Sequence, residues 1–161
     1  MVAAHITTAE IWNWLKQIAD PEIPVLSILD LGIVRDVQWD SGGDELVITI
    51  TPTYSGCPVM DVIASEIRAA AKQHGIERLR LETKLSPAWT TDWISDAAKE
   101  RLRNYGIAPP QRLISIIESR LACPHCGSND TKLVSRYGST ACKALYKCNS
   151  CLEPFDAFKR H

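Results

Sequence analysis

Four of the six cysteines in this 161-residue chain stand in two Cys-x-x-Cys pairs, Cys123-Pro124-His125-Cys126 and Cys148-Asn149-Ser150-Cys151. Each such turn can present two thiolates to one ion, and four soft ligands in a tetrahedron are the donor set of structural zinc. Rubredoxin-like iron or a labile cluster is the alternative for the same donors. His125 lies inside the first pair, but four thiolates already complete the shell, so it reads as an exposed loop residue. Cys142 is a fifth thiol close by. It reads either as a partner-facing or metal-transfer thiol or, preferred here, as a small buried cysteine on a strand.

The sixth cysteine, Cys57, stands alone in Thr51-Pro52-Thr53-Tyr54-Ser55-Gly56-Cys57-Pro58. Pro58 suits the first position of a helix, which would set Cys57 near its N-cap. Orphan amides and the positive end of the dipole would favour a thiolate there, and a loop of small polar residues would leave it reachable. The expectation is a reactive thiol or labile metal ligand, the alternative a cysteine packed under the loop. Asp20, Glu22 and Asp30 surround a proline-stiffened segment. Their plain role is turn chemistry; beside a thiolate, hard carboxylates would help to hold iron.

These residues need elements to position them. Thr7 and Glu10 match a capping box, and Ile11, Trp12, Leu15 and Ile18 recur at helical spacing, which predicts a helix over 8–19. Pro21 and Pro24 stop it. Residues 33–39 and 46–50 alternate around Ser41-Gly42-Gly43-Asp44 as a β-hairpin. A long helix follows from Pro58 to Gly75, then a strand over 78–85 with Leu79, Leu81, Thr83 and Leu85 on one face, then a helix over 92–105 ended by Gly106. Trp89 and Trp93 either cover the core, the favoured reading, or face a partner. Lys132–Ser135 and Lys143–Lys147 read as strands between the two cysteine pairs. The predicted fold class is α+β: an α-β-β-α-β-α sandwich followed by a zinc β-ribbon.

Charge divides the chain the same way. Residues 1–110 hold 10 Lys and Arg against 15 Asp and Glu, and residues 111–161 hold 8 against 4. The seam is placed at Ala108-Pro109-Pro110, giving domains 1–108 and 109–161, the second short enough to need a metal to fold. The stiff linker predicts limited motion between them. Charged residues at 23% and hydrophobic residues at 45% fit a globular protein and exclude a disordered or fibrous one. The net charge of −1 gives no global basic field. Lys132, Lys143, Lys147, Lys159 and Arg160 are spread without interleaved aromatics, so nucleic acid is not expected as a partner. With no signal-peptide pattern and no apolar run long enough for a bilayer, the expected location is the cytoplasm and no membrane is expected as a partner. Reduced thiols there favour metal binding over disulfides.

Asp20-Pro21-Glu22-Ile23-Pro24, Ser27, Asp30-Leu31-Gly32-Ile33-Val34 and the Thr51–Pro58 segment together resemble the iron–sulfur assembly domain of the SufT-like and cytosolic assembly-factor group. Tyr137-Gly138-Ser139-Thr140-Ala141-Cys142-Lys143 and Glu153-Pro154-Phe155-Asp156 resemble the zinc ribbon joined to that domain in one branch, the phenylacetate-degradation family PaaD (PaaJ), the D component of 1,2-phenylacetyl-CoA epoxidase systems. The resemblance covers nearly the whole chain. It implies a bacterial accessory protein serving a di-iron oxygenase whose reductase carries a flavin and an iron–sulfur cluster. Carried over by position, Cys57 matches the loop cysteine, Asp20 and Glu22 the acidic motif, and Cys123, Cys126, Cys148 and Cys151 the ribbon ligands. The tail Phe158-Lys159-Arg160-His161 departs from the pattern in offering no further cysteine ligand.

The sequence carries no Glu-x-x-His pair, no dinucleotide fingerprint and no P-loop, so no oxygenase machinery of its own. Three roles are open. The first is a maturation factor in which Cys57 transiently holds iron or a cluster for an oxygenase or reductase subunit. The second is a structural subunit of the complex with Cys57 inert. The third, least favoured, is a thiol enzyme, for which His5, His74, His125 and His161 offer no sequence reason to sit beside Cys57. A homodimer is also open.

Overall fold

A computed structural model of the chain describes residues 6–111 and 121–161. The chain divides into two compact units, Met1–Trp89 and Thr90–His161. The seam placed at Ala108-Pro109-Pro110 therefore falls inside the second unit, because the residues just before it are hydrogen-bonded into the ribbon.

The first unit opens with α1, Thr8–Leu15, capped by Thr7, whose Oγ1 accepts from the Glu10 amide while the Glu10 carboxylate accepts from Thr7. The helix stops four residues short of the expected position 19. Gln17 and Ile18 bond back to Trp14 and Leu15 in a tightened turn, after which the Asp20 amide donates to the Leu26 carbonyl. Ile18 is buried by this reversal rather than by a longer helix.

Strands β1 (Val34–Trp39) and β2 (Leu46–Ile50) pair antiparallel, Trp39 opposite Leu46. Asp40 Oδ1 accepts from the amides of Asp44 and Glu45, and Gly43 takes the positive φ of 72° that closes the turn. Helix α2, Met60–Gln73, carries the chain across to β3, Leu79–Thr83, which runs parallel to β2. A parallel neighbour requires such a crossover. Order β1-β2-β3 makes β2 central, and all five of its residues are buried. Leu46 and Ile48 join Ile11, Leu15, Ile63 and Ile67 among the fully buried side chains. Alternation alone puts Leu85 on the buried face of β3. The last pairing is Ile50 with Thr83, however, so Leu85 lies past the end of the sheet, exposed. Trp89 is buried and donates from Nε1 to the Leu31 carbonyl at 2.7 Å.

The second unit begins with a 3₁₀ turn, Thr91–Trp93, then α3, Asp96–Asn104, capped by Ser95 and ended by Gly106 at φ 90°. The expected single helix over 92–105 is thus split, since Ile94 and Ser95 are extended where Ser95 caps. Strand β4, Ile107–Ala108, pairs parallel with β7, Pro154–Phe158. Between them in sequence lie β5, Thr131–Ser135, and β6, Lys143–Cys148. The order is β4-β7-β6-β5, a ribbon with two strands beyond the predicted pair.

At the turn from β5 to β6, Gly138 approaches β7 so closely that a Cβ would run into Asp156 Oδ1. That carboxylate accepts from the Ser139 amide and hydroxyl and faces the Lys143 ammonium at 3.8 Å. The Lys143 side chain is only 5% exposed and that of Asp156 19%. Among the described residues no helix is long and apolar enough to cross a membrane.

Candidate metal centre and the Cys57 loop

Two similar knuckles bring the four ribbon thiols together. In the first, the Gly127 amide donates to the Cys123 carbonyl and the Cys123 amide to the Ser128 carbonyl, both at 2.9 Å. In the second, the Cys148 amide donates to the Glu153 carbonyl, and the Cys151 amide points at Cys148 Sγ, 3.5 Å away. A left-handed residue follows each second cysteine: Gly127 at φ 76° and Leu152 at φ 66°. Glycine takes this conformation freely; leucine does not. Ser128 and Ser150 hydroxyls meet at 2.7 Å, and Asn149 donates from Nδ2 to Asp130 Oδ1, tying knuckle to knuckle and knuckle to β5.

The four sulfurs all lie within 4.8 Å of one another. Cys123 and Cys151 are 3.8 Å apart, and Cys126 and Cys148 are 3.6 Å apart. A tetrahedron with metal–sulfur bonds of about 2.3 Å has edges of about 3.8 Å, so the donor set fits one tetrahedral ion. Its electrostatics fit too. The Cys151 amide draws the Cys148 thiol down to about 6. Cys151 is pushed up to about 12: the Glu153 amide favours its thiolate, but burial and the thiols of Cys148, Cys126 and Cys123 outweigh that. One member ionises at the expense of its neighbour, which is how clustered thiols behave until a cation neutralises them. Ala108, Cys123, Cys148, Phe155 and Ala157 form the buried core beneath, with Tyr146 stacked on Phe155. His125 is exposed, edge-on to Phe155. Cys142 lies outside the four-sulfur group, buried just before β6, with Thr140 Oγ1 3.0 Å from its sulfur.

The first unit places its candidate residues differently. Cys57 sits in the β2–α2 loop, and its amide donates to the Tyr54 carbonyl while its own carbonyl accepts from Met60. Gly56 turns the chain at φ 77°. The helix starts at Met60 with Val59 as N-cap, so Pro58 is not its first residue and Cys57 lies two positions before the cap. The extra turn over Tyr54–Met60 is what displaces it. Cys57 is 8% exposed and its thiol accepts from Thr53 Oγ1 at 3.8 Å, so the loop expected to leave it open largely covers it.

Asp20 is buried, and its Oδ1 accepts from the amides of Glu22 and Ile23 at 2.9 and 2.8 Å. Asp30 and Ser27 cap each other reciprocally. Asp20 and Asp30 thus shape the turn between α1 and β1. Asp20 also lines a cavity of about 510 Å³ with Trp14, Glu66 and His74, a cavity that Cys57 does not line. Among the described residues, only the four ribbon cysteines stand close enough to share an ion, and Asp20, Glu22 and Cys57 do not form such a group. His5 lies outside the described residues. Sequence reading missed the Lys143–Asp156–Ser139 network; a lysine opening a strand whose neighbours are apolar was its only signal.

Fold and site define a class: an iron–sulfur assembly-type unit joined to a four-cysteine ribbon. Residues 8–77 match the family described as iron-sulfur cluster assembly protein, and residues 109–159 match the PaaD zinc beta ribbon domain. The chain belongs to the PaaD family. An Escherichia coli K12 protein, provisionally named as the D component of 1,2-phenylacetyl-CoA epoxidase, is 51% identical over 93% of this chain and 91% of its own length. The Bacillus subtilis Fe-S protein maturation auxiliary factor YitW is 37% identical over 53% of this chain and 82% of its own. Among solved structures, a domain of unknown function from Bacillus anthracis covers 58% of this chain and 89% of its own at 28% identity and TM-score 0.53. A conserved hypothetical protein from Thermotoga maritima covers 63% and 98% at 27% identity and TM-score 0.52.

Proposed function

We propose that the chain is a non-catalytic, cytoplasmic accessory protein of phenylacetyl-CoA epoxidation that assists assembly of an iron or iron–sulfur centre in the oxygenase or its reductase. The observation that carries this reading is the combination, over nearly the full length, of an assembly-type unit and a ribbon with a counterpart in an epoxidase component. Zinc is the ion proposed for Cys123, Cys126, Cys148 and Cys151, where it supplies folding free energy and no chemistry of the reaction.

Iron or a cluster is the cargo, not a resident cofactor. Cys57 is the proposed acceptor, its thiol losing a proton as it takes the metal and regaining one on release. Its 8% exposure requires the Thr53–Pro58 loop to open, and Gly56 supplies the backbone freedom for that. Asp20 serves by holding the neighbouring turn, its Oδ1 accepting from the amides of Glu22 and Ile23.

The same burial favours a second reading, a structural subunit with Cys57 inert. Co-expression of the epoxidase subunits with a Cys57→Ser variant separates the two. Loss of iron from the complex, with binding of the variant retained, supports delivery. Full iron loading and activity would leave only the structural role. Metal analysis of the purified chain should return about one zinc, and iron in its place would overturn the zinc assignment.

A further inference from the structure

The ribbon ends in an open edge. Strand β5 has β6 on one side and, among the described residues, no strand on the other. The Asn149 amide donates to the Asp130 carbonyl, so Asp130 faces β6. By the alternation of an antiparallel pair, Lys132 also faces β6, whereas Leu133 turns its N–H and C=O outward. This edge is apolar as well as open: Leu133 is 48% exposed, Val134 55% and Tyr137 71%. Tyr137 is held by the Lys159 ammonium, 4.5 Å from its ring centre. Exposed large apolar residues gathered on a strand edge mark a contact surface.

The residues bounding the edge carry opposite charges. Asp130 lies just before β5 and Arg136 just after it, both exposed. An antiparallel copy of the segment centred on Leu133 places Leu133 opposite Leu133, Thr131 opposite Ser135, and Asp130 opposite Arg136, twice over by symmetry. The irregularity between Leu133 and Ser135 displaces the later residues by one position, a gap the long arginine side chain spans.

We propose that β5 is a homodimer interface, in which a second copy of this chain adds its own β5 antiparallel across a two-fold axis at Leu133, joining the two four-stranded ribbons into one sheet. The Leu133 pair exchanges two backbone hydrogen bonds, Val134 and Tyr137 lose water, and two Asp130–Arg136 pairs fix the register. The bulge and Lys132 confine pairing to this one short register, so the edge closes a dimer rather than seeding a fibre. The interface is small, and its affinity should be in the micromolar range.

Charge exchange on the full-length, metal-loaded chain tests this. Sedimentation velocity should show a concentration-dependent dimer by about 100 µM for the unmodified protein. Arg136→Glu and Asp130→Lys each set like charges opposite one another twice and should weaken self-association at least about tenfold. Mixed in equal amounts, these two variants should recover the dimer, because each then meets its complement. A Leu133→Cys variant gives a readout that does not depend on charge. Paired residues about 5.5 Å apart at Cα lie within disulfide reach, so mild oxidation should trap a covalent dimer that the unmodified protein does not form.

A monomer throughout the concentration range, a dimer that survives both single variants, or failure of the mixture to reassociate with metal content intact would each overturn the proposal. So would the absence of cross-linking in the Leu133→Cys variant. Protection of the edge by a different protein while this chain stays monomeric would assign the surface to that partner instead.

Discussion

The Lys143–Asp156 pair should govern the stability of the ribbon far more than an ordinary ion pair. At 3.8 Å, with effective dielectric near 20, the attraction is about 4 kcal/mol. Desolvation offsets much of that in the intact pair, but removing one partner strands the other. A buried charge left alone costs about 3–5 kcal/mol. Because Asp156 retains 19% exposure, the lower end, about 3 kcal/mol, is expected for Asp156→Asn. Asparagine can still accept from the Ser139 amide, so the loss reports charge rather than shape.

Native-state amide exchange in the metal-loaded chain, read at Ala144–Tyr146, should speed up by about a hundredfold. The double variant Lys143→Met/Asp156→Leu should recover most of the protection, since a well-packed apolar pair replaces both charges. A change below about threefold for Asp156→Asn would refute the reasoning, placing the pair among surface ion pairs.

Three further outcomes follow from the same structure. Leu152→Gly should stabilise the second knuckle by about 1 kcal/mol, because φ 66° strains leucine and its side chain is largely in water; a chelator competition showing looser metal binding would contradict this. Thr7→Ala should cost about 1 kcal/mol of α1 stability. The amide and hydroxyl of Thr7 hold Glu10 below its ordinary 4.5, so the contribution is present above that pH and is lost as pH falls through the lowered value; the variant should show a flatter acid profile of exchange in α1. Cys148→Ser, or stripping the metal with a chelator, should unfold the ribbon strands while β1, β2 and α2 keep their exchange protection, since structural zinc supplies on the order of 10 kcal/mol to a domain of this kind.

What the sequence made legible was local. The grouping of the four ribbon cysteines was readable because each pair closes its own short turn and the two turns need only meet. Likewise Thr7 with Glu10 and Gly75 with its positive φ announce helix ends from within a few residues. The missed features are those that depend on distant partners. Strand β4, two residues long, is too short for periodicity and exists because β7 pairs with it, and β7 is itself held between β4 and β6. Leu85 alternates correctly but outruns β2, and no property of residues 78–85 tells where β2 ends. The position of Cys57 is displaced by one loop turn, a shift set by Tyr54 and Met60 backbone bonds that residue types do not encode. For Asp20 and Glu22 the acidic motif is visible, but Oδ1 of Asp20 turns to the backbone amides of Glu22 and Ile23, a bond that residue types do not announce.

The pairing of β4 with β7 separates the unit that is inherited from the unit that folds. Recognisable likeness to the ribbon family begins at residue 109. Yet Ala108, 1% exposed, packs in the same buried group as Cys123 and Cys148, and Ile107 completes the hydrogen-bonding side of β7 opposite Asp156. A fragment cut where the likeness begins would bare one side of β7 and open a hole beside the thiols. To transplant this ribbon onto another protein, α3 and β4 must travel with it, so its lineage is bound to the segment that precedes it more tightly than its motif suggests.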